Sequence, residues 1–383
     1  MQAKQFLYIS LLLLFASCST LRNRPAAQRS AIRFLDEYVI PNKTTFQDTK
    51  VGGLSGIDYD QQQGVYYVIS DDRSNINPAR FYTFSFDVTQ SKIANFKILG
   101  VDSLRMKNGD LYPNAGIKAM NVPDPESIRY NPDERSIVWS SEGERIVDPA
   151  GNSILYNPSV TIADKSGKEI ETLPVPKQFI MSEKETGPRR NGVFEGLSFA
   201  DNFKTLFVST EEPLYNDGPR ATPTNGGWCR IVQYDYAQRK PIAQYAYPLD
   251  KVAKKPKPRS AFSVNGISEI LAISPTKLIV IERSFSMGYL NNTIKLYLAE
   301  LSDAANSQDI DYLKEQGKNP IKKKLLLNLN VIGKRIDNIE GITLGPALPN
   351  GRRSLILVSD NNFLGLQKTQ LLLFEIDLDQ LMQ

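Results

Sequence analysis

The chain has 383 residues, 41% of them hydrophobic, and a formal net charge of +4. This length allows one large all-β domain or two smaller ones, and so weak a charge argues against a nucleic-acid partner. Histidine is absent, which excludes Ser-His-Asp triads, Cys-His pairs, histidine-ligated zinc and histidine phosphatase chemistry. Any catalysis must therefore use carboxylates, Lys, Arg, Tyr, Ser or a metal held by oxygen ligands.

The N-terminus predicts export. Residues 6–16 form an apolar run that is too short to span a bilayer comfortably and is typical of the centre of a signal peptide. The run ends in Phe15-Ala16-Ser17-Cys18, which resembles a bacterial lipobox with Cys18 as the lipidation site. The predicted parts are a signal peptide (1–18), a tether (19–30) and one folded domain (31–383). We expect an outer-membrane or cell-surface lipoprotein that touches the membrane through its lipid only; a plain cleaved signal or buried anchor is the alternative.

A strand–turn–strand pattern then recurs five times. Each copy has an apolar strand, a polar turn and a strongly apolar strand that ends in Ser or an acid. The copies start at Gly52, Pro125, Phe194, Ser268 and Ile339. Ser55, Glu126, Glu195, Glu269 and Glu340 hold the first polar position, at spacings of 71, 69, 74 and 71 residues. Such a regular period indicates a repeated structural unit.

Two more strands follow most of these hairpins. The predicted third strands are residues 80–88, 159–164, 229–236, 293–301 and 369–377. The predicted fourth strands are residues 94–104, 169–174, 241–247 and 323–331. Four antiparallel strands per repeat predict an all-β fold, a β-propeller of four-stranded antiparallel blades.

The number of blades follows from the two chain ends. The fifth copy has no fourth strand, whereas residues 31–41 form a strand before the first copy. We therefore predict five blades, with the N-terminal strand closing the ring. A sixth, degenerate blade in residues 104–125 or 175–191 is the alternative.

The repeated acids are expected to gather on one rim of the propeller. A second acid follows the first by 13 to 20 residues, with the turn between them, so the two lie at the same end of each hairpin. All blades of a propeller point the same way, and crowded carboxylates need cations nearby. Ca²⁺ is the favoured cation because its ligands are oxygens. The candidate metal ligands are Asp71, Glu126, Glu142, Glu195, Glu211, Glu269, Glu282, Glu340 and Asp360.

Arginines and asparagines accompany these acids. Arg73, Arg145 and Arg283 follow the second acids by one to three residues, and could pair with them or bind an anionic substrate beside the metal. Asn191, Asn265 and Asn338 precede the glutamates and are interpreted as turn residues rather than ligands. The alternative for each acid is structural, as an acceptor for backbone N–H groups of the next blade.

The repeated segments resemble a known family. "GGLSGIDYD", "PDPESIRYNPDERSIVWSSEGE", "NGVFEGLSFADNFKTLFVSTEE" and "NIEGITLGP" are similar to the bacterial phytase-like family, also described as esterase-like activity of phytase, over residues 52–377. The resemblance implies an exported propeller related to phosphoester hydrolysis. The Asp-Asp-Pro-Ala motif of calcium-dependent propeller phytases is replaced here by Asn77-Pro78-Ala79, so the resemblance does not extend to phytate as the substrate.

The sequence thus predicts a monomeric, Ca²⁺-dependent phosphoester hydrolase that takes a small anionic substrate and no nucleic acid. It assigns no catalytic residue. Two alternatives stay open: a non-catalytic surface binding module with structural calcium, and a metal-dependent esterase or lactonase.

Overall fold

A computed structural model describes residues 30–114, 122–313 and 319–383. The chain divides into two compact units, residues 1–30 and 31–383, and the second is the folded domain. Cys18, the predicted signal peptide and all of the tether except Ser30 lie outside the described residues. Within the described ranges, none of the helices combines the length and apolar character that a membrane-spanning helix requires.

The domain is built from five antiparallel four-stranded sheets, the blades of a propeller. Strand β1 (Ile32–Ile40) and the hairpin β2 (Thr45–Phe46)–β3 (Thr49–Lys50) come before blade 1. Blade 1 contains β4 (Leu54–Asp60), β5 (Val65–Ser70), β6 (Arg80–Val88) and β7 (Ile93–Ser103). Blade 2 contains β8 (Pro125–Asn131), β9 (Ser136–Ser141), β12 (Ser159–Asp164) and β13 (Glu169–Thr172), and carries an extra hairpin of β10 (Glu144–Val147) and β11 (Ser153–Tyr156).

The remaining blades follow the same order. Blade 3 contains β14 (Phe194–Ala200), β15 (Thr205–Thr210), β16 (Gly227–Asp235) and β17 (Lys240–Leu249). Blade 4 contains β18 (Ser263–Ala272), β19 (Lys277–Ser286), β20 (Thr293–Glu300) and β21 (Lys322–Asn328). Blade 5 contains β22 (Asn338–Ala347), β23 (Arg353–Asp360) and β24 (Thr369–Ile376), and a short helix, α1 (Leu378–Met382), ends the chain.

The N-terminal strand closes the ring, as predicted. Strand β1 pairs antiparallel with β24, from Ile32 opposite Ile376 to Ile40 opposite Thr369. The number of blades is therefore five. Between β7 and β8, and between β13 and β14, the described residues contain no further strand that could belong to a sixth blade.

The core consists of five apolar clusters, one at each contact between neighbouring blades. Between blades 4 and 5, for example, Ile279 and Ile281 of β19 pack with Leu355 and Leu357 of β23. Because each sheet is covered on both faces by its neighbours, the inner strands are apolar on both faces rather than alternating. This explains runs such as residues 278–281 and 355–358.

The innermost strands approach closely around the axis. A Cβ on Gly56 would lie 2.8 Å from the Ile128 backbone nitrogen, and one on Gly341 would lie 3.0 Å from the Ile57 nitrogen. These two glycines therefore allow three blades to meet with their backbones nearly in contact.

Charged and polar side chains of the inner strands lie close to this point of contact between the blades. The Arg129 guanidinium donates to the carbonyls of Ile57 and Ile270 at 2.8 and 3.0 Å and pairs with Glu269 at 3.0 Å. Arg129 and Glu269 are almost fully buried. Asp58 accepts hydrogen bonds from the Tyr130 N–H and the Thr343 hydroxyl. We call Asp58, Arg129, Glu269 and their partners the axial layer.

Candidate functional site

A bulge near the start of every innermost strand builds the rim of the propeller. The pairing register shifts between Leu54 and Gly56 in blade 1, and equivalent shifts occur in the other four blades. A bulge leaves one residue unpaired and redirects its side chain. The bulged rim residues in blades 1 to 5 are Ser55, Glu126, Glu195, Ser268 and Glu340.

The second rim position lies one residue beyond the pair that immediately precedes the bulge of each hairpin. Leu54 pairs with Ser70, and the equivalent partners in the later blades are Ser141, Thr210, Glu282 and Ser359. The residues that follow these partners are Asp71, Glu142, Glu211, Arg283 and Asp360. The rim thus brings together seven of the nine acids predicted from the sequence, and blade 4 contributes a serine and an arginine instead.

The sequence spacing placed both acids of blade 4 one residue out of register. Ser268, not Glu269, is structurally equivalent to Glu195, and Arg283, not Glu282, is equivalent to Glu211. Because neighbouring residues of a strand face opposite ways, a shift of one residue moves a side chain to another environment. Glu269 accordingly lies in the axial layer, where it accepts hydrogen bonds from the Ser127 hydroxyl at 2.6 Å and the Leu197 N–H at 2.8 Å.

Glu282 is held within the fold, away from the rim acids. It accepts hydrogen bonds from the Tyr247 hydroxyl at 2.8 Å and the Asn265 side chain at 2.9 Å, and it pairs with Lys323. Its carboxylate therefore has partners of its own.

Two groups of three acids have an arrangement that could hold a metal ion. Asp71, Glu340 and Asp360 form the first group, and Asp124, Glu126 and Glu142 form the second. Within each group, one oxygen of each carboxylate lies within 4.8 Å of the others. Sequence reasoning missed Asp124, although it stands only two residues before Glu126.

Arg283 is the main counter-charge at the centre of the rim. Its guanidinium lies 2.9 Å from Glu211, 3.2 Å from Glu340 and 3.8 Å from Glu195. Asn338 extends this network, because its side-chain oxygen accepts from Arg283 at 2.6 Å while its amide donates to Glu340 at 2.8 Å. Asn338 and Asn265 lie in strands β22 and β18, so the interpretation of these two as turn residues was wrong.

Burial and mutual repulsion raise the pKa values of several acids at the rim. Burial, with contributions from neighbouring carboxylates, raises the pKa of Glu142 and Glu340 to about 8 and that of Asp124 to about 7. The same causes raise the pKa of Asp71, Glu126 and Glu195 well above the ordinary range. At neutral pH these carboxyls hold protons unless another cation replaces them.

Several polar atoms at the rim lack partners. The Glu126 carboxylate makes no hydrogen bond or ion pair with the described residues, and the buried Oε2 of Glu195 accepts no hydrogen bond from them. Buried polar groups are normally paired, so an orphaned carboxylate oxygen points to an absent ligand. The donors are all hard oxygens, which suit Ca²⁺ and do not suit a soft metal. The residues present therefore fit the predicted ion.

The three predicted arginines have different positions. Arg73 pairs with Glu144 at 2.9 Å and lies 3.4 Å from Asp124, so both Arg73 and Arg283 belong to the rim. Arg145 lies in the β10–β11 hairpin and is turned away, donating to the carbonyls of Ser182 and Glu183 and lying over the Tyr215 ring.

Two further arginines stand at the outer edge of the rim. Arg190 pairs with Glu144 at 2.9 Å and Arg220 pairs with Glu212 at 2.7 Å, with side chains 55% and 45% exposed. The loops that carry Arg190 and Arg220 follow no repeat, so the spacing of the sequence does not reveal them. The second acid close to each rim acid, Glu144 after Glu142 and Glu212 after Glu211, was the available signal.

The matched family model decides which family this is. A family model described as "Phytase-like: Esterase-like activity of phytase" matches residues 49–363, well over half of the chain. The chain belongs to the phytase-like family. Comparison with curated proteins found no match.

The solved structures that match this phytase-like chain share little sequence with it. A thermostable family-43 glycoside hydrolase has 10% identity and a TM-score of 0.44, covering 88% of this chain and 91% of that one. The periplasmic gluconolactonase of Pseudomonas aeruginosa has 10% identity and a TM-score of 0.35, covering 84% of each chain. A gluconolactonase from Xanthomonas campestris has 9% identity and a TM-score of 0.34, covering 89% and 97%. These similarities are too distant to bear on activity.

Proposed function

We propose that this phytase-like chain is a Ca²⁺-dependent phosphoester hydrolase whose active site is the acidic rim. One observation carries the proposal: the buried carboxylates of the rim outnumber the cations that pair with them, and arginines lie at the outer edge of the rim. Carboxylates suit a hard cation, and guanidinium groups suit phosphate oxygens. Membership of the phytase-like family supports the same reaction class. We also propose that the protein acts outside the cytoplasm as a monomer anchored through Cys18.

The residues take separate roles in this proposal. Asp124, Glu126 and Glu142 would hold one ion, and Asp71, Glu340 and Asp360 a second. A bound Ca²⁺ would offset the charge of the phosphate and lower the pKa of water. Arg190 and Arg220 are exposed enough to bind the phosphate oxygens of an arriving substrate.

Glu195 is the candidate proton donor. Burial and the nearby Glu211 and Glu142 carboxylates raise its pKa well above the ordinary range, so its carboxyl keeps a proton at neutral pH. Its Oε2 has no partner among the described residues. A protonated carboxyl at this place can donate to the oxygen that leaves the phosphorus atom.

The experiment is a panel of phosphomonoesters, phosphodiesters, lactones and carboxyl esters, assayed with Ca²⁺ and with a chelator. We expect phosphate release that requires Ca²⁺ and is lost in Glu126→Gln, which keeps the shape of the side chain and removes its charge. Glu171→Gln is the matched control, because Glu171 lies on the outer strand of blade 2 with its side chain 46% exposed. Failure to cleave any phosphoester would refute the proposal.

The binding-module alternative also has a specific observation in its favour. Glu142 of blade 2 accepts hydrogen bonds from the backbone N–H groups of Gly192 and Val193, next to blade 3. This is a structural contact between blades. A protein in which Ca²⁺ raises the melting temperature without any turnover in the panel would be such a module. Calcium-dependent cleavage of lactones or carboxyl esters alone would instead identify an esterase or lactonase.

A further inference from the structure

The most exposed apolar side chains of the domain lie at one end of two neighbouring blades. Among the described residues, the five most exposed large hydrophobic side chains are Leu290 (89%), Leu366 (86%), Val331 (74%), Leu364 (58%) and Phe262 (55%). They lie on four loops: residues 251–262, 287–292, 329–336 and 361–368. These loops enter blade 4 and blade 5 or join their second and third strands. Because the strands are antiparallel, all four loops lie at the end of the blades that carries the acidic rim.

The same four loops carry an excess of positive charge. They contain eight Lys or Arg residues, and the full connections between the strands add two acids, Asp250 and Asp337. Asp250 pairs with Lys295 and Lys323, which lie outside these loops, whereas Lys334 and Lys368 pair with Glu37. Lys255 and Arg259 are exposed and form no ion pair with the described residues. By contrast, the loop at the opposite end of blade 4, residues 301–321, contains three Asp, one Glu and two Lys.

Contacts hold the four loops together as one surface. The Met287 N–H donates to the Phe262 carbonyl at 3.0 Å, and Lys254 and Lys257 lie 5.0 Å from the centre of the Tyr289 ring. On the next blade, the Arg335 guanidinium donates to the Leu366 carbonyl at 3.2 Å. Asn292 joins the two blades by donating to the Asn338 side chain at 3.2 Å. We call residues 251–262, 287–292, 329–336 and 361–368 the basic-apolar surface.

We propose that the basic-apolar surface docks on an anionic lipid bilayer. The occupant follows from two features that occur together. Eight Lys or Arg residues against two acids in the same connections leave an excess of positive charge, which matches a surface of negative headgroups. The apolar side chains project singly from loop tips and do not line a groove, so they fit between lipid headgroups better than into a folded partner. This docking depends neither on the proposed reaction nor on lipidation of Cys18.

The test is co-sedimentation of residues 31–383 with lipid vesicles. This segment contains every blade and the closing strand, and it omits the apolar run at residues 6–16, which could itself bind lipid. We expect binding to vesicles of phosphatidylcholine mixed with phosphatidylglycerol, little binding to phosphatidylcholine alone, and release by high salt.

Substitutions test whether vesicle binding occurs through the basic-apolar surface. Leu290→Ser with Leu366→Ser should weaken binding to the mixed vesicles by about tenfold or more, because two exposed leucines lose their insertion. Lys255→Gln and Arg259→Gln should each weaken it by about fivefold. The matched control is Leu99→Ser with Ile170→Ser, since both residues are 51% exposed on outer strands of blades 1 and 2.

Three outcomes would overturn the proposal. They are no binding to the mixed vesicles at low salt, equal binding to both vesicle types, or equal loss in the control variant. The remaining possible occupant of the surface is a second copy of the chain, and light scattering tests for it by measuring the oligomeric state. If Leu290→Ser with Leu366→Ser changes the oligomeric state and leaves vesicle binding unaltered, the surface joins two copies and the lipid proposal is wrong. Thermal unfolding of each variant confirms that the loops, not the fold, were changed.

Discussion

The acidic rim and the axial layer are neighbouring regions built by the same inner strands, yet they differ in how far their buried charges are balanced by opposite charges. In the axial layer, Arg129 and Glu269 face each other, and carbonyls and N–H groups occupy most of their remaining positions; the Arg129 Nε is the exception among the described residues. At the rim, seven carboxylates share few cations, and the Oε2 atom of Glu195 has no partner among the described residues.

This difference separates a structural use of buried charge from a ligand site. A buried ion pair whose two charges face each other and bond to the backbone of three blades fixes how those blades meet. Carboxylates that are clustered and have raised pKa values repel one another when they are ionised, and an added cation offsets that repulsion. In blade 4, two consecutive residues belong to the two regions: Ser268 lies at the rim and Glu269 lies in the axial layer.

Breaking the axial ion pair should have the largest effect on stability. Arg129→Met leaves Glu269 buried without its counter-charge, so we expect the free energy of unfolding to fall by about 3–5 kcal/mol. Urea denaturation measures this loss. Adding Glu269→Gln to Arg129→Met removes the stranded charge and should restore part of the stability. A loss below about 1 kcal/mol in the single variant would contradict the structural role assigned to the pair.

The rim should make stability depend on pH in the direction opposite to an ordinary salt bridge. The pKa values of Glu142 and Glu340 are raised by burial from 4.5 to about 8 in the folded protein. Their contribution is therefore complete below about pH 4.5 and is lost as the pH rises through 8. Without Ca²⁺, we expect the free energy of unfolding to fall by several kcal/mol over this window, since each unit by which the pKa of each group is raised is worth about 1.4 kcal/mol.

Adding Ca²⁺ tests the cause of that fall. An ion held by the rim replaces the protons and keeps the carboxylates charged, so the melting temperature should become nearly independent of pH across the same window. A melting temperature that declines equally with Ca²⁺ and with a chelator would show that the rim binds no calcium.

The smallest expected effect on stability comes from substitutions at equivalent rim positions in two blades. Ser268→Ala removes one hydrogen bond, from the Ser268 hydroxyl to the Ile339 carbonyl at 3.0 Å, and should cost about 1 kcal/mol. The rise in melting temperature with Ca²⁺ should stay unchanged. Glu126→Gln, at the equivalent position in blade 2, should reduce that rise, because Glu126 belongs to one of the proposed ion-binding groups. Differential scanning calorimetry with and without Ca²⁺ compares the pair, and an equal response of both variants would contradict the difference between the blades.

The fold could be predicted from the sequence because it repeats. Each blade has its own apolar hairpin and two further strands, so five weak strand patterns at one spacing reinforce each other. Ring closure followed from a surplus strand at one end and a missing strand at the other. The β10–β11 hairpin was not predicted, since it belongs to no repeat.

The site was predicted less completely, for physical reasons that particular residues show. A bulge shifts the strand register without changing the period, so an acid at Glu269 looked equivalent to Glu195. The longer spacing before Glu269 and the shorter distance from Glu269 to Glu282 were the available signs of that shift. Arg145 was misplaced because nearness in sequence to Glu142 does not determine direction once a new hairpin begins. The pairing of Arg129 with Glu269 across the axis depends on ring geometry, which no local pattern contains.

The pairing of β1 with β24 has a consequence for how the protein is made. The ion pair between Arg33 and Glu375 joins positions separated by 342 residues. A ribosome must therefore release almost the whole chain before the last blade can be completed, and contacts of such long sequence separation form slowly. Until then, β1, which is made first, has no partner strand and presents unpaired edges to other nascent chains, a template for aggregation. The demand for chaperones should therefore last until β24 is released and pairs with β1.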